Sequence, residues 1–159
     1  MGGAMLNERV RRVLEQNWID YETGPHREAF TAQGVAAASH VSGWQMAKVL
    51  IARDEHRRYL MMVLPASCRA DLATLRRVSG RPHLELAGEE EIASLFPDCE
   101  LGAMPPFGNL YGLQVYVDAC FPRDKPLAFQ AGNHHEVVKI AYPDYQWAVK
   151  PFVTEFCRH

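Results

Sequence analysis

Residues 46–64 read MAKVLIARDEHRRYLMMVL, and this stretch decides the fold. Side chains alternate between the two faces of a strand, so residues 46–53 are predicted to be a strand with Lys48 among apolar neighbours on one face. The polar residues 54–57 predict a turn, and the apolar run 59–64 predicts a return strand that is buried on both faces. We therefore predict a hairpin at the centre of a sheet.

Helices and strands alternate along the rest of the chain. Apolar spacing and capping residues predict helices at 6–16, 31–39, 71–78, 89–96 and 143–149. Apolar runs bounded by turn residues predict strands at 18–22, 83–86, 113–118, 126–130 and 136–140. This order predicts an α+β fold: a mixed, mostly antiparallel sheet that forms a partly closed barrel with flanking helices.

The size and composition of the chain favour one soluble domain. The sequence has 159 residues, of which 48% are hydrophobic and 23% charged, and domains cluster at roughly 100 to 150 residues. We predict a single domain over residues 1–159 with its core at about 20–150. No apolar run reaches the roughly 20 residues that span a bilayer, and the N-terminus lacks the apolar centre of a signal peptide, so we expect a cytoplasmic protein and no membrane partner.

Cysteine spacing and net charge narrow the class of function. Cys68, Cys99, Cys120 and Cys157 form no Cys-x-x-Cys pair, which argues against a zinc knuckle or a redox motif, and we expect thiols that are not joined in disulfides. The net charge is -2, which is not typical of a broad nucleic-acid platform, so we expect no DNA partner and only a small, local contact with any nucleic acid. Phosphate-binding glycine motifs are absent, so no nucleotide cofactor is expected.

Two loops combine features that suit a binding site. Residues 101–112 read LGAMPPFGNLYG, in which prolines fix the backbone and glycines allow a second molecule to approach it. We interpret this loop as the rigid rim of a site, although a plain connection between a helix and a strand would have similar composition. Residues 131–135, which read AGNHH between two predicted strands, are a second candidate rim.

Lys48 could have either a structural role or a role in ligand binding. A buried, isolated charge is costly, so the amine either reaches water or a carboxylate such as Asp118, or it serves as a cation that holds a phosphate or an ester carbonyl.

The seven histidines have no metal-ligand spacing, and no metal site is predicted. No serine lies in a Gly-x-Ser-x-Gly elbow, and a cysteine–histidine pair stays open.

Several short motifs follow one another in an order that carries further information. They are Tyr21 with His26 and Thr31, AKVL at 47–50, VLP at 63–65, Gly102 followed by PPFG at 105–108, VYVD at 115–118, and GNH at 132–134. In this order they resemble the YbaK/prolyl-tRNA-synthetase-associated domain family of trans-editing aminoacyl-tRNA deacylases, over about residues 20–150.

The resemblance implies a function and a set of site residues. It implies hydrolysis of mischarged aminoacyl-tRNA, typically tRNA for proline, by a free-standing domain that binds the acceptor end, needs no cofactor, and leaves room for a synthetase partner. Lys48, Gly102 and Gly108 would be catalytic: the lysine would orient the substrate, and backbone N–H groups near the glycines would stabilise the carbonyl oxygen. The implied substrate-binding residues are His26, Thr31, Pro106, Phe107, Asp118, Gly132, Asn133 and His134.

Two departures from the family pattern leave other functions open. Some relatives have a basic residue after the glycine of the second rim, where this chain has Asn133-His134, and Gly34 stands where relatives often have Glu. The first departure bears on the choice of amino acid. The alternatives are a non-catalytic module that binds tRNA or a protein in the same pocket, and a small-molecule amino-acid esterase.

Overall fold

The structure, a computed structural model, describes residues 6–25 and 41–158. Four α-helices lie in these ranges: α1 (Glu8–Gln16), α2 (Leu72–Ser79), α3 (Glu89–Leu95) and α4 (Tyr142–Val149), with a short 3₁₀ helix at Gly108–Tyr111. The strands are β1 (Tyr21–Pro25), β2 (Ala47–Arg53), β3 (Tyr59–Pro65), β4 (Arg69–Ala70), β5 (Glu85–Leu86), β6 (Gln114–Asp118), β7 (Pro126–Gln130), β8 (Glu136–Ala141), β9 (Phe152–Thr154) and β10 (Cys157–Arg158).

The predicted hairpin forms the inner part of the largest sheet, whose strand order is β5-β2-β3-β6-β9. Strands β2 and β3 pair antiparallel, with Lys48 opposite Leu64. Strand β6 pairs parallel with β3, and β9 pairs parallel with β6. Both hairpin strands thus have a neighbour on each side, as the continuous apolar run in β3 predicts.

A second sheet, of order β1-β8-β7, meets the first at the start of β2. There Met46 and Ala128 form an isolated parallel bridge, and the Ala128 N–H donates to the Gln45 carbonyl over 3.0 Å. A two-stranded sheet of β10 and β4 completes the pairing. The predicted mixed α+β fold is confirmed, whereas the pairings among the described residues show no closed barrel.

The main sheet has an apolar cluster on each face. Strand alternation sends neighbouring side chains to opposite faces, and full burial of one large apolar side chain stabilises the fold by about 1.5–3 kcal/mol. The larger cluster, here the first cluster, includes Ala47, Ile51, Met61, Val63, Phe107, Val115, Val117 and Phe129. The second cluster includes Ala52, Leu60, Met62, Leu64, Cys68, Tyr116 and Phe156.

Some elements differ from the sequence prediction for local reasons. The strand predicted at 18–22 starts at Tyr21, because the preceding residues still bond to α1: the Ile19 N–H donates to the Leu14 carbonyl over 2.9 Å. The short strands β4, β9 and β10 were not predicted, and the predicted helix at 31–39 lies outside the described residues. In the described ranges, every helix is too short or too polar to cross a membrane.

Candidate functional site

The two loops predicted as rims lie against each other. We call residues 101–108 the first rim and residues 131–135 the second rim. The Gly132 N–H donates to the Ala103 carbonyl, and the Glu100 N–H donates to the Gly132 carbonyl, each over 2.8 Å. Gly132 has φ of +100°, and a Cβ there would lie 3.3 Å from the Asn7 Cβ, so the position suits glycine. The backbone of the second rim therefore fixes the N-terminal part of the first.

His134 links the two rims through its side chain. The imidazole is buried, with Nε2 at 2.8 Å from the Leu101 carbonyl oxygen and Nδ1 at 3.4 Å from the Gln130 side-chain nitrogen. A carbonyl oxygen can only accept, so Nε2 carries the proton, and Nδ1 accepts from the Gln130 amide in the neutral ring. Both ring nitrogens therefore hold the imidazole in one orientation.

Gly102 presents its backbone next to this imidazole. The residue is exposed, has φ of +88°, and a Cβ there would lie 3.4 Å from His134 Cε1. The C=O and N–H of a planar trans peptide point in opposite directions, so the bond from His134 to Leu101 turns the Gly102 N–H away from the imidazole. Among the hydrogen bonds of the described residues, none uses this N–H. A fixed, exposed donor of this kind can stabilise negative charge that develops on a substrate oxygen.

Lys48 lies on the same face of the structure as Gln130. Strands β2 and β7 run parallel where Met46 bridges Ala128, and those two side chains share one apolar cluster. Lys48 and Gln130 are each two residues further along, so alternation places both on that face. Through Gln130 and His134, the lysine side of the sheet is connected to the Gly102 peptide.

Gln130 is a site residue that the sequence analysis missed. Its side chain is 8% exposed. In the sequence, Gln130 looks like an ordinary residue of the strand that became β7. One signal in the sequence could have identified it. Gln130 is polar but shares a strand face with Ala128, which is apolar. Its partner, His134, lies beyond the strand end, so the pairing was not visible from strand periodicity.

The Lys48 amine is half-buried and contacts the turn that follows β3. Nζ donates to the Cys68 carbonyl over 2.6 Å, and burial lowers the pKa of the lysine. The carboxylate considered as its partner, Asp118, instead accepts hydrogen bonds from the N–H groups of Phe156 (2.8 Å) and Cys120 (2.9 Å). Among the described residues, the Lys48 ammonium thus uses one of its three donor hydrogens, in the bond to Cys68.

The middle of the first rim is anchored in the core. The Pro106 carbonyl accepts from the Tyr145 hydroxyl over 2.7 Å. Phe107 is fully buried and packs edge-on against Phe129 and Tyr145, with ring centroids 5.4 and 5.5 Å apart. The Phe107 ring is a core side chain that holds the rim in place. It has no exposed surface for the substrate contact that was predicted for it.

Gly108 is separated from Lys48 by the sheet. A Cβ at this position would lie 3.0 Å from Val115 Cγ2 and 3.1 Å from the Met61 Cβ, so glycine permits the chain to pack directly on the sheet. Met61 and Val115 belong to the first cluster, whereas Lys48 points to the opposite face. Gly108 and Lys48 therefore lie on opposite faces of the main sheet.

The remaining predicted residues have the following places. Asn133 is buried, and its Oδ1 accepts from the N–H groups of His135 (2.8 Å) and Glu136 (3.0 Å), which stabilises the turn of the second rim. Asp118 is held at the end of β6 by the backbone bonds given above. His26 and Thr31 lie outside the described residues.

Known proteins share both the fold and the sequence pattern. The structure of "hypothetical protein APE2540" is similar with a TM-score of 0.84 at 19% identity, over 95% of this chain and 100% of that one. The structure of "a putative trans-editing enzyme for prolyl tRNA synthetase" is similar with a TM-score of 0.81 at 20% identity, over 100% of both chains. A search of curated proteins found no match. The family profile described as the aminoacyl-tRNA editing domain matches residues 26–147, which include both rims and Lys48. The chain therefore belongs to the aminoacyl-tRNA editing domain family.

Proposed function

We propose that this chain hydrolyses the ester bond of mischarged aminoacyl-tRNA, with tRNA for proline as the carrier. The observation that carries the proposal is the hydrogen bond from His134 to the Leu101 carbonyl, which orients the Gly102 N–H as a donor. Membership of the editing-domain family supports the reaction class. The choice of proline tRNA rests on the similar structure described as a putative trans-editing enzyme for prolyl tRNA synthetase.

The reaction needs positioning more than a strong protein base. An aminoacyl ester is already activated, so water can attack the carbonyl carbon while the Gly102 N–H donates a hydrogen bond to the carbonyl oxygen and stabilises the negative charge that develops there. The bond to the ribose oxygen then breaks, and this oxygen takes a proton as the tRNA leaves. The neighbouring ribose hydroxyl can relay that proton. One oxyanion donor of this kind contributes on the order of 10² to 10³ in rate.

Lys48 is proposed to orient the substrate. Its ammonium is half-buried on the face that carries Gln130, and its hydrogen bond to a described residue is the one to the Cys68 carbonyl, which uses one of three donor hydrogens. A phosphate of the terminal nucleotide, or the ester carbonyl, would satisfy these donors. The net charge of -2 agrees with such a contact, because only a few phosphates of the acceptor end need to be neutralised.

The substrate contacts of the second rim are proposed to be indirect. Gly132 fixes Ala103, Asn133 stabilises the turn, and His134 braces Leu101. These residues would shape the aminoacyl pocket by holding the backbone of the first rim. The chain is proposed to do this as one editing domain with its core at about residues 20–150.

A panel of mischarged tRNAs tests the proposal. The full chain is incubated with proline tRNA that carries different labelled amino acids, with other mischarged tRNAs, and with free amino-acid methyl esters. We expect hydrolysis of at least one mischarged proline tRNA well above the spontaneous rate, and little hydrolysis of the free esters. Salt-sensitive binding of tRNA without turnover would favour a binding module instead. Equal rates on free esters would favour a small-molecule esterase.

A further inference from the structure

Two thiols and a carboxylate from distant parts of the chain come together at the end of β6. The ligand atoms of Asp118, Cys120 and Cys157 all lie within 4.8 Å of one another. The Sγ atoms of Cys120 and Cys157 are 3.6 Å apart. Asp118 is fully buried, whereas both cysteines are partly exposed, so an ion could enter from the cysteine side.

A third thiol adjoins this group. Cys68 is buried in the second cluster and lies near Cys157, outside the group of three ligand atoms that lie within 4.8 Å of one another. Together with Cys68, the cluster draws on three segments: the turn after β3, the end of β6 and its following turn, and strand β10. Cysteine thiolates and a carboxylate are ligands that zinc and similar thiophilic cations use in proteins.

The spacing of the two sulfurs suits a shared metal ion. Two thiolates at about 2.3 Å from a tetrahedral zinc ion are about 3.8 Å apart, close to the 3.6 Å between Cys120 and Cys157. A disulfide would require a sulfur separation of about 2.05 Å. The separation of the two sulfurs is therefore compatible with neighbouring positions in a tetrahedral site.

Asp118 is also arranged as a ligand with outer support. Each carboxylate oxygen accepts one backbone N–H, from Cys120 (2.9 Å) or Phe156 (2.8 Å). A carboxylate has about four acceptor positions, so lone pairs remain for a metal ion. Hydrogen bonds of this kind orient ligating carboxylates in known metal sites.

We propose that Asp118, Cys120 and Cys157 bind one zinc ion or a similar thiophilic divalent cation, with a water molecule in the fourth position. Each bound thiol releases its proton to solvent, so the filled site carries net negative charge. The Lys48 ammonium lies beside Cys68 and offsets part of this charge. The ion would link β10 to the end of β6 and would therefore stabilise the C-terminal part of the fold.

Cobalt and zinc titrations of the full chain test this site. The protein is reduced, treated with chelator and titrated with Co²⁺ and then Zn²⁺. We expect one Co²⁺ per chain with a thiolate-to-cobalt charge-transfer absorption, loss of that absorption when Zn²⁺ displaces the cobalt, and a melting temperature raised by about 5 °C or more at saturating zinc. Absence of the absorption in fully reduced protein would overturn the proposal.

Cysteine variants separate this site from adventitious binding. Cys120→Ser and Cys157→Ser should each weaken zinc binding by about 100-fold or more. Loss of a residue that only supports a metal ligand weakens binding by up to about 100-fold, and loss of a ligand should have at least that effect. Cys99→Ser is the matched control, because Cys99 contacts Tyr111 at 3.5 Å in a different part of the fold. Circular dichroism shows whether each variant folds. If Cys157→Ser does not fold, the result for Cys120→Ser tests the site. Zinc affinity unchanged in a folded Cys120→Ser variant, or a Cys120–Cys157 disulfide that forms readily in protein that binds no metal, would contradict the site.

Discussion

His134 donates a hydrogen bond from Nε2 to the Leu101 carbonyl oxygen over 2.8 Å, across 33 residues of sequence. The bond fixes the peptide between Leu101 and Gly102, whose N–H is the proposed oxyanion donor. Gln130 supports the imidazole from behind at 3.4 Å. The chemistry proposed for this chain thus depends on backbone geometry that one histidine maintains.

Replacement of His134 should therefore slow catalysis without much change in substrate affinity. We expect His134→Ala to lower kcat for deacylation by about 10- to 100-fold, because the Gly102 N–H loses its fixed direction, while KM changes little. Steady-state kinetics on the best mischarged tRNA measure both constants. His135→Ala, which alters an exposed neighbour, is the matched control. A rise in KM with unchanged kcat would show that His134 acts in binding and does not position the donor.

Lys48 should contribute through its charge. Lys48→Met keeps most of the aliphatic stem and removes the ammonium, so we expect kcat/KM to fall about tenfold or more as a phosphate or carbonyl contact is lost. Lys139→Met, a lysine of β8, should retain the wild-type value. Thermal melting of both variants shows whether the loss of the bond to Cys68 alters the fold. Wild-type kcat/KM in folded Lys48→Met would remove the lysine from the proposed site.

The hydroxyl of Tyr145 should stabilise the first rim. Tyr145→Phe leaves the buried Pro106 carbonyl without its donor, and an unsatisfied buried acceptor costs about 1–3 kcal/mol. Urea unfolding should show this decrease in the free energy of unfolding. Tyr142→Phe changes the neighbouring ring of α4 and leaves this hydrogen bond intact. Equal midpoints for Tyr145→Phe and the wild type would mean that water replaces the hydroxyl.

Glu91 should make the stability of the fold depend on acid pH. Its carboxylate accepts from the Gly88 N–H (2.9 Å) and the Tyr59 hydroxyl (2.7 Å) and pairs with Arg53 (2.9 Å), which together lower its pKa to about 2. The unfolded state binds the proton first as the pH falls, so the contribution is present above about pH 4.5 and is lost as the pH falls towards 2.

The corresponding variant removes this dependence. Glu91→Gln should be less stable than the wild type at neutral pH, and its stability should decrease less steeply between about pH 5 and pH 2. Urea unfolding at a series of pH values measures both slopes. Parallel slopes for the two proteins would contradict the assignment to Glu91.

Local patterns in the sequence were enough to predict much of the fold. The hairpin of β2 and β3 follows from alternation and one polar turn, and the helix boundaries follow from caps such as Asp71 and Gly80, which has φ of +71°. The parallel pairing of β6 with β3 and β9 was not predictable in the same way, because it joins segments far apart in sequence. The very short strands carry too few residues for a periodic signal.

For the candidate site, too, local signals were predictable from the sequence and contacts between distant segments were not. The glycines and prolines of both rims are local signals, and the rims do meet through Gly132 and Ala103. Gln130 and the cysteine cluster were missed because their partners come from other parts of the chain. Cysteine spacing argued against a zinc knuckle, but the proposed site joins two distant segments and therefore has no short spacing to recognise. Gly108 was grouped with Gly102 because both lie in one loop, although their environments differ.

The proposed role of the Gly102 N–H can be tested with two glycine variants. Gly102 and Gly112 both have left-handed φ, of +88° and +76°, so alanine strains the backbone at either position by about 1–2 kcal/mol. Only at position 102 would the new Cβ contact His134, whereas at position 112 no atom lies within 4 Å. The measurement is the single-turnover rate of deacylation of mischarged proline tRNA. We expect a rate near the wild-type value for Gly112→Ala and a decrease on the order of 10² for Gly102→Ala. Equal rates for the two folded variants, or a wild-type rate no higher than spontaneous hydrolysis, would contradict that role.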